Sequence, residues 1–233
     1  MAKKVVLELS KVYKSYVMGD STIHALQDIN FKVYEGDLVA IIGPSGSGKS
    51  TMLQILGCLD KPSSGSLQID GLETSKMNED QLATTRNTKI GFVFQSFFLV
   101  PTLDAVQNVA LPLMFAGISK SQREARAVKL LKDIGLGDRL YNKPSELSGG
   151  QRQRVAIARS LCTNPAIILA DEPTGNLDSK TGKEIMDLFK ELNKKEKRTI
   201  ITVTHDMNLA HSNFNKLIKL KDGRIEGEEV VRK

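Results

Sequence analysis

The chain has 233 residues, of which 40% are hydrophobic and 26% are charged, a composition typical of a globular protein with one full core. Its net charge of +6 comes without a basic motif interleaved with aromatic residues, so we expect no nucleic-acid partner. The longest apolar runs, LVAII and AIILA, are too short to span a membrane, and the N-terminal stretch MAKKVVLELS lacks a signal peptide's apolar segment. We therefore expect a cytoplasmic protein in which any membrane role requires a separate partner.

The first part of the chain predicts strands, interrupted by one helix. Alternating, β-branched stretches at 5–16 and 24–37 predict antiparallel strands. The continuous apolar run at 38–42 predicts a buried central strand. A stretch with helical spacing and two further strands follow, at 51–59, 65–71 and 89–95.

From about residue 96 to residue 142 the pattern becomes helical. Ser121 and Glu124 predict a capping box in front of one helix. The apolar positions of that helix are Ala125, Val128, Leu131 and Ile134.

The last part of the chain returns to strands. Apolar strands are predicted at 166–172 and 199–206, and residues 216–228 predict a closing hairpin with Asp222 and Gly223 at its turn. Apolar strands that alternate with helices predict an α/β core with a mostly parallel sheet. The two cysteines, Cys58 and Cys162, have no metal-ligand spacing, and we expect reduced, buried thiols.

A glycine-rich segment, GPSGSGKS, runs from Gly43 to Ser50 between the strand at 38–42 and the helix that follows. It matches G-x-x-x-x-G-K-[ST], whose glycines let backbone N–H groups surround phosphate oxygens at a helix N-terminus. In such a loop Lys49 would reach the β- and γ-phosphates and Ser50 would bind Mg²⁺. The alternative, a chance glycine-rich turn, is disfavoured by the strand and the helix around it.

Two carboxylates, Asp171 and Glu172, end the apolar strand at 166–172. Asp171 is placed to hold Mg²⁺ through water, whereas Glu172 points differently and would act on a water molecule. Parallel strands present their carboxyl ends to one crevice, so we expect both carboxylates near the phosphate loop. Taken alone, the pair is also typical of a solvated strand end.

Two further polar residues, Gln95 and His205, end apolar strands. His205 would face the same crevice and could donate a hydrogen bond to a γ-phosphate. The Gln95 amide would contact both Mg²⁺ and the attacking water. For Gln95, a strand end that faces solvent is an equally simple alternative.

The segment LSGGQ, at 147–151, precedes a helix whose apolar positions are Val155, Ala158, Leu161 and Cys162. Each of its two glycines costs about 1 kcal/mol relative to alanine inside a helix. Ser148 and the glycine amides form a second N-terminus suited to an anion. One interpretation is a dimer in which each chain caps the other's nucleotide; the other is a glycine-rich turn that caps a core helix.

Together, in this order, the motifs resemble those of the ATP-binding cassette (ABC) ATPases over nearly the whole chain. GPSGSGKS is similar to the Walker A loop, Gln95 to the Q-loop glutamine and LSGGQ to the family signature. IILADE is similar to Walker B with its catalytic glutamate, GNLD at 175–178 to the D-loop, and His205 to the switch histidine.

The resemblance implies the ABC ATPase P-loop fold, with an antiparallel β-subdomain and a helical subdomain. We expect a single domain over 1–233. Its core and β-subdomain would take 1–95 and 143–233, and its helical subdomain would take 96–142 and extend into the signature helix.

The same resemblance implies an ATPase that uses ATP and Mg²⁺, in which the signature of one subunit closes over the ATP of its partner. The implied catalytic residues are Glu172, His205, Lys49 and Gln95, and the implied metal ligands are Ser50, Gln95 and Asp171. The implied phosphate-loop contacts are Gly43, Pro44, Ser45, Gly46, Ser47, Gly48, Lys49, Ser50 and Thr51. The implied signature contacts in trans are Leu147, Ser148, Gly149, Gly150 and Gln151, with Asp178 linking the two sites.

The family also stacks the adenine on an aromatic side chain near the N-terminus. Tyr13 and Tyr16 are both candidates. Their spacing to the segments MGD and HAL favours Tyr16, and the other tyrosine then serves packing.

A finer resemblance is carried by residues 57–65, 91–113 and 170–182. These segments are similar to the branch that serves lipoprotein release, macrolide export and cell division (LolD-, MacB- and FtsE-like). It implies a transmembrane permease-type partner (FtsX-, MacB- or LolC-like), an ATP-dependent homodimer or pseudo-homodimer, and a peripheral location on the inner face of the membrane.

Two alternative functions are weaker. A soluble ABC ATPase of DNA repair or iron–sulfur assembly is disfavoured because the chain has no coiled-coil or Cys-rich insertion. A non-hydrolysing nucleotide-binding module is disfavoured by the presence of Glu172 and His205.

The segment after Gln95 is rich in aromatic residues and methionine, which are favoured where proteins dock. Because it begins next to Gln95, a partner held here would respond to ATP. We expect a helix of the membrane partner in a groove between the two lobes, closest to Phe97, Phe98 and Leu99, while part of the segment packs in the helical lobe.

Overall fold

Two β-sheets organise the chain, of which the computed structural model describes residues 3–231. The strands are β1 Val5–Met18, β2 Ser21–Tyr34, β3 Leu38–Ile42, β4 Ser64–Ile69, β5 Leu72–Glu73, β6 Ile90–Phe94, β7 Ile167–Asp171, β8 Thr199–Thr204, β9 Lys216–Lys221 and β10 Arg224–Val230. The helices are α1 Lys49–Leu56, α2 Glu79–Lys89, α3 Ala105–Phe115, α4 Lys120–Asp133, α5 Gly149–Leu161, α6 Ser179–Glu196 and α7 Met207–Asn213. A 3-10 turn, Pro144–Glu146, precedes α5.

The larger sheet has the strand order β10-β9-β3-β8-β7-β6. Neighbouring strands from β9 to β6 pair in parallel, and β10 closes the edge in an antiparallel hairpin. Strands β3 and β8 are buried along their whole length, because both faces of this sheet are covered, one by helices and the other by α1 and the smaller sheet. Asp222 and Gly223, with φ of 47° and 73°, form the predicted hairpin turn, and positive φ at both positions is what a type I′ turn requires.

The smaller sheet has the order β2-β1-β4-β5 and is antiparallel. It contains the antiparallel pair predicted from the alternating N-terminal stretches, with Val5 opposite Tyr34 and Met18 opposite Ser21. Its buried residues, such as Leu7 and Ile29, share one core cluster with α1 and one face of the larger sheet. The α/β fold predicted from the sequence is therefore present.

Helices α3, α4 and α5 pack against the opposite face of the larger sheet. Val109, Leu131 and Ile157 belong to the same core cluster as Ile168 and Ile200 of the sheet. Helices α3 and α4 fall inside the predicted helical stretch 96–142; that this stretch forms a subdomain stays a prediction. The ends of the predicted domain, 1–2 and 232–233, lie outside the described residues.

The predicted capping box of α4 is wrong. The helix begins at Lys120, and its N-cap is Ser119, whose hydroxyl lies 2.9 Å from Gln122 Oε1. Serines at 119 and 121 each have a Glu or Gln three residues later, so the local pattern does not distinguish them. Packing selects the boundary, because the buried face contains Ala127 and Leu131 whereas the predicted Ala125 is exposed.

Both cysteines are free and buried, as predicted. Burial raises the pKa of the Cys58 thiol to about 11 and that of Cys162 to about 12, so neither is a reactive thiolate near neutral pH. Within residues 3–231, no helix is both long and apolar enough to cross a membrane.

Candidate active site

A cleft of about 630 Å³ lies at the carboxyl ends of β3, β7 and β8. Parallel strands bring residues that follow different strands to this one edge. The predicted residues that line it are Ser45, Gly46, Gly48, Lys49, Ser50, Thr51, Asp171, Glu172 and His205. Three separated motifs therefore meet here as expected.

The glycines of the loop before α1 are required by close backbone approaches. A Cβ added at Gly43 would lie 2.1 Å from the Leu220 carbonyl oxygen. Gly48 has φ of 100°, and a Cβ there would lie 2.5 Å from the Ala25 carbonyl oxygen. No other residue type fits these positions without moving β9 or β2. The loop also holds the buried Ser47 hydroxyl, which has no hydrogen-bond partner among the described residues.

Lys49 lies over this loop at the start of α1. Its Nζ donates to the carbonyl oxygens of Gly43 at 2.9 Å and Pro44 at 2.6 Å. Burial lowers the pKa of Lys49, an effect that Glu172 and Asp171 oppose. The ammonium group is therefore held between the loop and the two carboxylates.

The two carboxylates differ in their surroundings. Burial raises the pKa of Asp171, with a further contribution from the charge of Glu172. Glu172 has a positive φ of 42°, and its N–H donates to the Val203 carbonyl at 3.0 Å. A non-glycine residue at positive φ costs of order 1 kcal/mol, and such strain is typical of functional positions.

His205 and Glu172 form a direct side-chain contact. The Nδ1 atom of His205 lies 2.6 Å from Glu172 Oε1. An ionised carboxylate has no proton to donate, so in a bond to the Glu172 carboxylate the Nδ1–H of His205 is the donor. Their separation of 33 positions in the sequence is bridged because β7 and β8 are neighbours.

Gln95 lies against the 175–178 segment and is not among the residues that line the cleft. Its Nε2 donates to Asn176 Oδ1 at 3.2 Å, and Asn176 Nδ2 donates to the Gln95 carbonyl at 3.1 Å. A Cβ at Gly175 would lie 2.5 Å from Gln95 Nε2, so that glycine makes room for the amide. The sequence did not indicate the pairing with Asn176.

Asp178 is the N-cap of α6. Its Oδ1 accepts from the N–H groups of Lys180 and Thr181 at 3.1 and 3.0 Å, and its Oδ2 accepts from the Thr181 hydroxyl at 2.6 Å. These bonds with Thr181 lower the pKa of Asp178. The residue therefore has a structural use within the chain, beside the role across an interface that the resemblance implies.

The LSGGQ segment forms the start of α5, away from the residues that line the cleft. Ser148 is exposed and makes a reciprocal capping box with Gln151, with distances of 3.3 and 2.9 Å. Gly150 is buried, and a Cβ there would lie 2.4 Å from Thr181 Cγ2 of α6. Packing of α5 on α6 thus supplies one reason for Gly150.

Tyr16, rather than Tyr13, lies beside the cleft. It is opposite Ile23 in the β1–β2 ladder, and Ile23 lines the cleft. Its hydroxyl donates to Asp60 Oδ2 at 3.0 Å. The sequence did not indicate that β2 and the β9–β10 turn also form the cleft wall; the residues they add are Ile23, His24, Ala25, Gln27, Asp222 and Gly223.

A second cavity, the Phe98 groove, has a volume of about 840 Å³. We define it by the aromatic residues that line it: Phe92, Phe94, Phe98 and Phe115. Phe98 and Phe115 are 65% and 72% exposed.

The residues predicted to be nearest a partner are divided between this groove and the interior. Phe98 lines the groove, Phe97 lies under the Arg152 guanidinium at 5.2 Å, and Leu99 packs against the core. The Arg159 guanidinium holds the chain here, because it donates to the carbonyls of Phe98 at 2.5 Å and Phe97 at 2.7 Å. Phe97 and Phe98 have φ of 61° and 45°, so the arginine stabilises a strained turn.

The fold and the cleft define the class of α/β proteins that bind and hydrolyse nucleoside triphosphates at a phosphate loop. Residues 26–175 match the family model described as "ABC transporter". The chain is 53% identical over 97% of its length to an uncharacterized ABC transporter ATP-binding protein of Thermotoga maritima, and covers 96% of that protein.

A solved relative has nearly the same structure. It is the ATP-binding cassette MJ0796 of Methanocaldococcus jannaschii, which was solved as a dimer in a post-hydrolysis state bound to ADP and Pi. The two chains superimpose with a TM-score of 0.87 at 51% sequence identity. The match covers 97% of this chain and 99% of that chain. The chain is also 48% identical, over 97% of its length, to the macrolide export ATP-binding/permease protein MacB of Acinetobacter baylyi, but it covers only 34% of that protein.

The chain belongs to the ABC transporter family, as its ATP-binding cassette. It is an ATPase, the ATP-binding and ATP-hydrolysing subunit of a transporter complex.

Proposed function

We propose that the cleft binds ATP with Mg²⁺ and that the LSGGQ segment of a second copy closes over it. Tyr16 would stack on the base, and the loop from Gly43 to Thr51 would surround the phosphates. Ser148 and the amides of Gly149 and Gly150 would approach the γ-phosphate from the second copy, flanked by Leu147 and Gln151. Asp178 would link the two clefts.

The contact of 2.6 Å between Glu172 and His205, in the cleft that contains Lys49, carries the proposal. The imidazole orients the Glu172 carboxylate, which would accept a proton from the attacking water. Lys49 offsets the negative charge on the γ-phosphate. A γ-phosphate contact by His205 would use its other ring nitrogen, Nε2, which carries a proton in the imidazolium.

The loop fits phosphates in its present shape. Lys49 donates to loop carbonyls, so a phosphate group would replace weaker acceptors with charged ones. The N-terminus of α1 adds its positive dipole end.

The residues beside the loop also fit Mg²⁺. Asp171 is a half-buried acid next to a second carboxylate, and a cation offsets that repulsion. Ser50, Gln95 and Asp171 present the oxygen ligands that Mg²⁺ prefers. When bound, Mg²⁺ supplies charge neutralisation at the β- and γ-phosphates. Gln95 would exchange its bond to Asn176 for this role.

Two observations support closure by a second copy. Ser148 is exposed and the LSGGQ segment lies outside this chain's own cleft, so it is available to another molecule. The related cassette MJ0796 has been solved as a dimer bound to ADP and Pi.

The test is a Glu172→Gln variant, which keeps the shape of the side chain but cannot accept a proton. We expect hydrolysis to fall by about 10²-fold or more, ATP binding to persist, and ATP to convert monomer to dimer in size-exclusion chromatography with light scattering. The matched control is the isosteric variant Asp171→Asn. It removes a proposed Mg²⁺ ligand and should therefore lose the Mg²⁺-dependent dimer. A Glu172→Gln protein that stays monomeric with ATP, or hydrolyses normally, would contradict the proposal.

The proposal also concerns the membrane partner of this cassette. Relatives named MacB are ATP-binding/permease proteins, and this chain matches 34% of their length. We infer a transmembrane permease-type partner (FtsX-, MacB- or LolC-like), with the cassette peripheral on the inner face of the membrane. The Phe98 groove supports this inference, since its exposed aromatic residues form an apolar recess that a partner helix would cover. The work driven is export, lipoprotein release or mechanical work across the membrane.

A further inference from the structure

Behind Tyr16 lies a compact cluster of side chains that the nucleotide motifs do not include. Tyr16 donates its hydroxyl to Asp60 Oδ2 at 3.0 Å, and Lys14 Nζ donates to Asp60 Oδ1 at 2.6 Å. Lys14 also donates to the Lys61 carbonyl at 2.8 Å, and the Lys61 N–H donates to Asp60 at 2.7 Å. The Lys14 side chain is only 12% exposed, so it is held inside the structure.

Lys14 contacts the ring of Tyr16 as well as Asp60, the acid that accepts the hydrogen bond from the Tyr16 hydroxyl. Its Nζ lies 4.9 Å from the ring centroid, within the range of a cation–π contact. Lys14 therefore fixes the acid that holds the hydroxyl and, at the same time, covers part of the ring itself. The hydroxyl and the ring are restrained together.

The anchored ring stands at the edge of the cleft. Tyr16 is paired with Ile23, which lines the cleft together with Thr51 of α1. Burial raises the pKa of Tyr16, and the bond to Asp60 adds to this. Burial alone would raise the pKa of Asp60, but the bonds from Lys14, the Lys61 backbone and Tyr16 lower it overall. The acid is therefore an ionised acceptor at neutral pH.

We propose that Asp60 and Lys14 are positioning residues that hold the Tyr16 ring in the orientation that receives the nucleotide base. The inference rests on the proposed stacking of the base on Tyr16. A ring that is fixed before the base arrives loses little side-chain freedom on binding, which strengthens binding without a new contact. The ion pair alone does not explain the arrangement, because Lys14 and Asp60 could pair without Tyr16.

A purely structural role predicts a different result from a positioning role. If the cluster only ties β1 to the segment after α1, its loss would disturb the phosphate loop and weaken every ligand that contains phosphates. If it positions the ring, its loss weakens only ligands that carry a base. Inorganic triphosphate, which has no base, separates the two.

The experiment measures the Kd of ATP and of inorganic triphosphate by calorimetry without Mg²⁺, for the full chain and three variants. Tyr16→Phe removes the anchor and keeps the ring, Asp60→Asn removes the charge, and the double variant tests whether they act together. We expect each single variant to weaken ATP about tenfold, the double variant to be no weaker than either, and triphosphate binding to stay unchanged. In hydrolysis, KM for ATP should rise while kcat stays constant.

Equal loss of ATP and triphosphate, or wild-type ATP binding in both single variants, would overturn the inference. Tyr16→Ala separates this from the proposed function. If Tyr16→Ala weakens ATP but Asp60→Asn and Tyr16→Phe do not, stacking stands and the positioning role fails. If Tyr16→Ala also binds ATP normally, both the stacking and the positioning role fail.

Discussion

The nucleotide cleft and the Phe98 groove are built in different ways. The cleft is formed mainly by contiguous motifs that follow parallel strands, and these motifs approach it with backbone as well as side chains. The groove is formed by side chains from segments as far apart as Arg86, Phe115 and Arg159. A site made of contiguous backbone leaves a pattern in the sequence, whereas a site made of scattered side chains does not.

The two regions are nevertheless joined by short connections. Gln95 lies three residues before Phe98, and Arg159 of α5 binds the Phe97 and Phe98 carbonyls. Gln153 of α5 donates to the Pro173 carbonyl, directly after Glu172, at 2.7 Å. Helix α5, which begins within LSGGQ, therefore contacts both the segment next to Glu172 and the groove.

The largest expected effect is in the cleft. Lys49→Met removes the ammonium group that lies over the phosphate loop, so we expect ATP hydrolysis to fall by about 10²–10³-fold. Phosphate release measures this. The exposed Lys129→Met on α4 is the control and should keep its activity. A Lys49→Met protein with the wild-type rate would mean that the phosphate loop is assigned wrongly.

The next variant tests whether Gly150 of the LSGGQ segment is needed for packing of α5 on α6 or for closure over the nucleotide of a second copy. Gly150→Ala places a Cβ 2.4 Å from Thr181 Cγ2, so we expect a loss of about 1–3 kcal/mol in the free energy of unfolding. Thr181→Ser removes that methyl group and keeps the hydroxyl bonded to Asp178. The double variant should regain stability in thermal unfolding.

Hydrolysis then separates the two explanations. If Gly150 must also let the backbone approach the partner copy's nucleotide, the double variant stays at least about tenfold slower in hydrolysis, since crowding one γ-phosphate contact costs of order 1.4 kcal/mol. Thr181→Ser alone, as the control, should hydrolyse ATP normally. Full recovery of activity in the double variant would show that packing alone explains the glycine.

The smallest effect on the isolated cassette concerns the groove. Phe98→Asp and Phe115→Asp place charges on exposed aromatic positions, and we expect them to abolish co-purification with the membrane partner while hydrolysis changes less than about twofold. Val17→Asp, at an exposed apolar residue on β1, is the control. Retention and coupling of the partner in both groove variants would place the docking site elsewhere.

The structure does not support the expectation that the Leu99 side chain lies close to a partner helix. Leu99 packs against the core, so Leu99→Asp would destabilise the fold and would not be a clean test of docking. Phe98 is the better position, because its carbonyl is held by Arg159 whatever its side chain is.

The sequence by itself determined the parallel core and the cleft residues that directly follow its strands. LVAII, IILAD and TIITVT favour buried strands, because they are short, rich in β-branched residues and largely apolar. The phosphate loop, Asp171, Glu172 and His205 follow those strands directly, so their meeting at one edge follows from the topology.

Only the tertiary structure decided the contacts between distant segments. Examples are the bond of Gln95 to Asn176, the approach of Gly150 to Thr181, the Lys14–Asp60–Tyr16 cluster, and the start of α4 at Lys120 rather than after Ser121. Each depends on a distance between elements or on which face of a helix is buried. Local spacing carries no information about such distances, because they are set by how the elements pack.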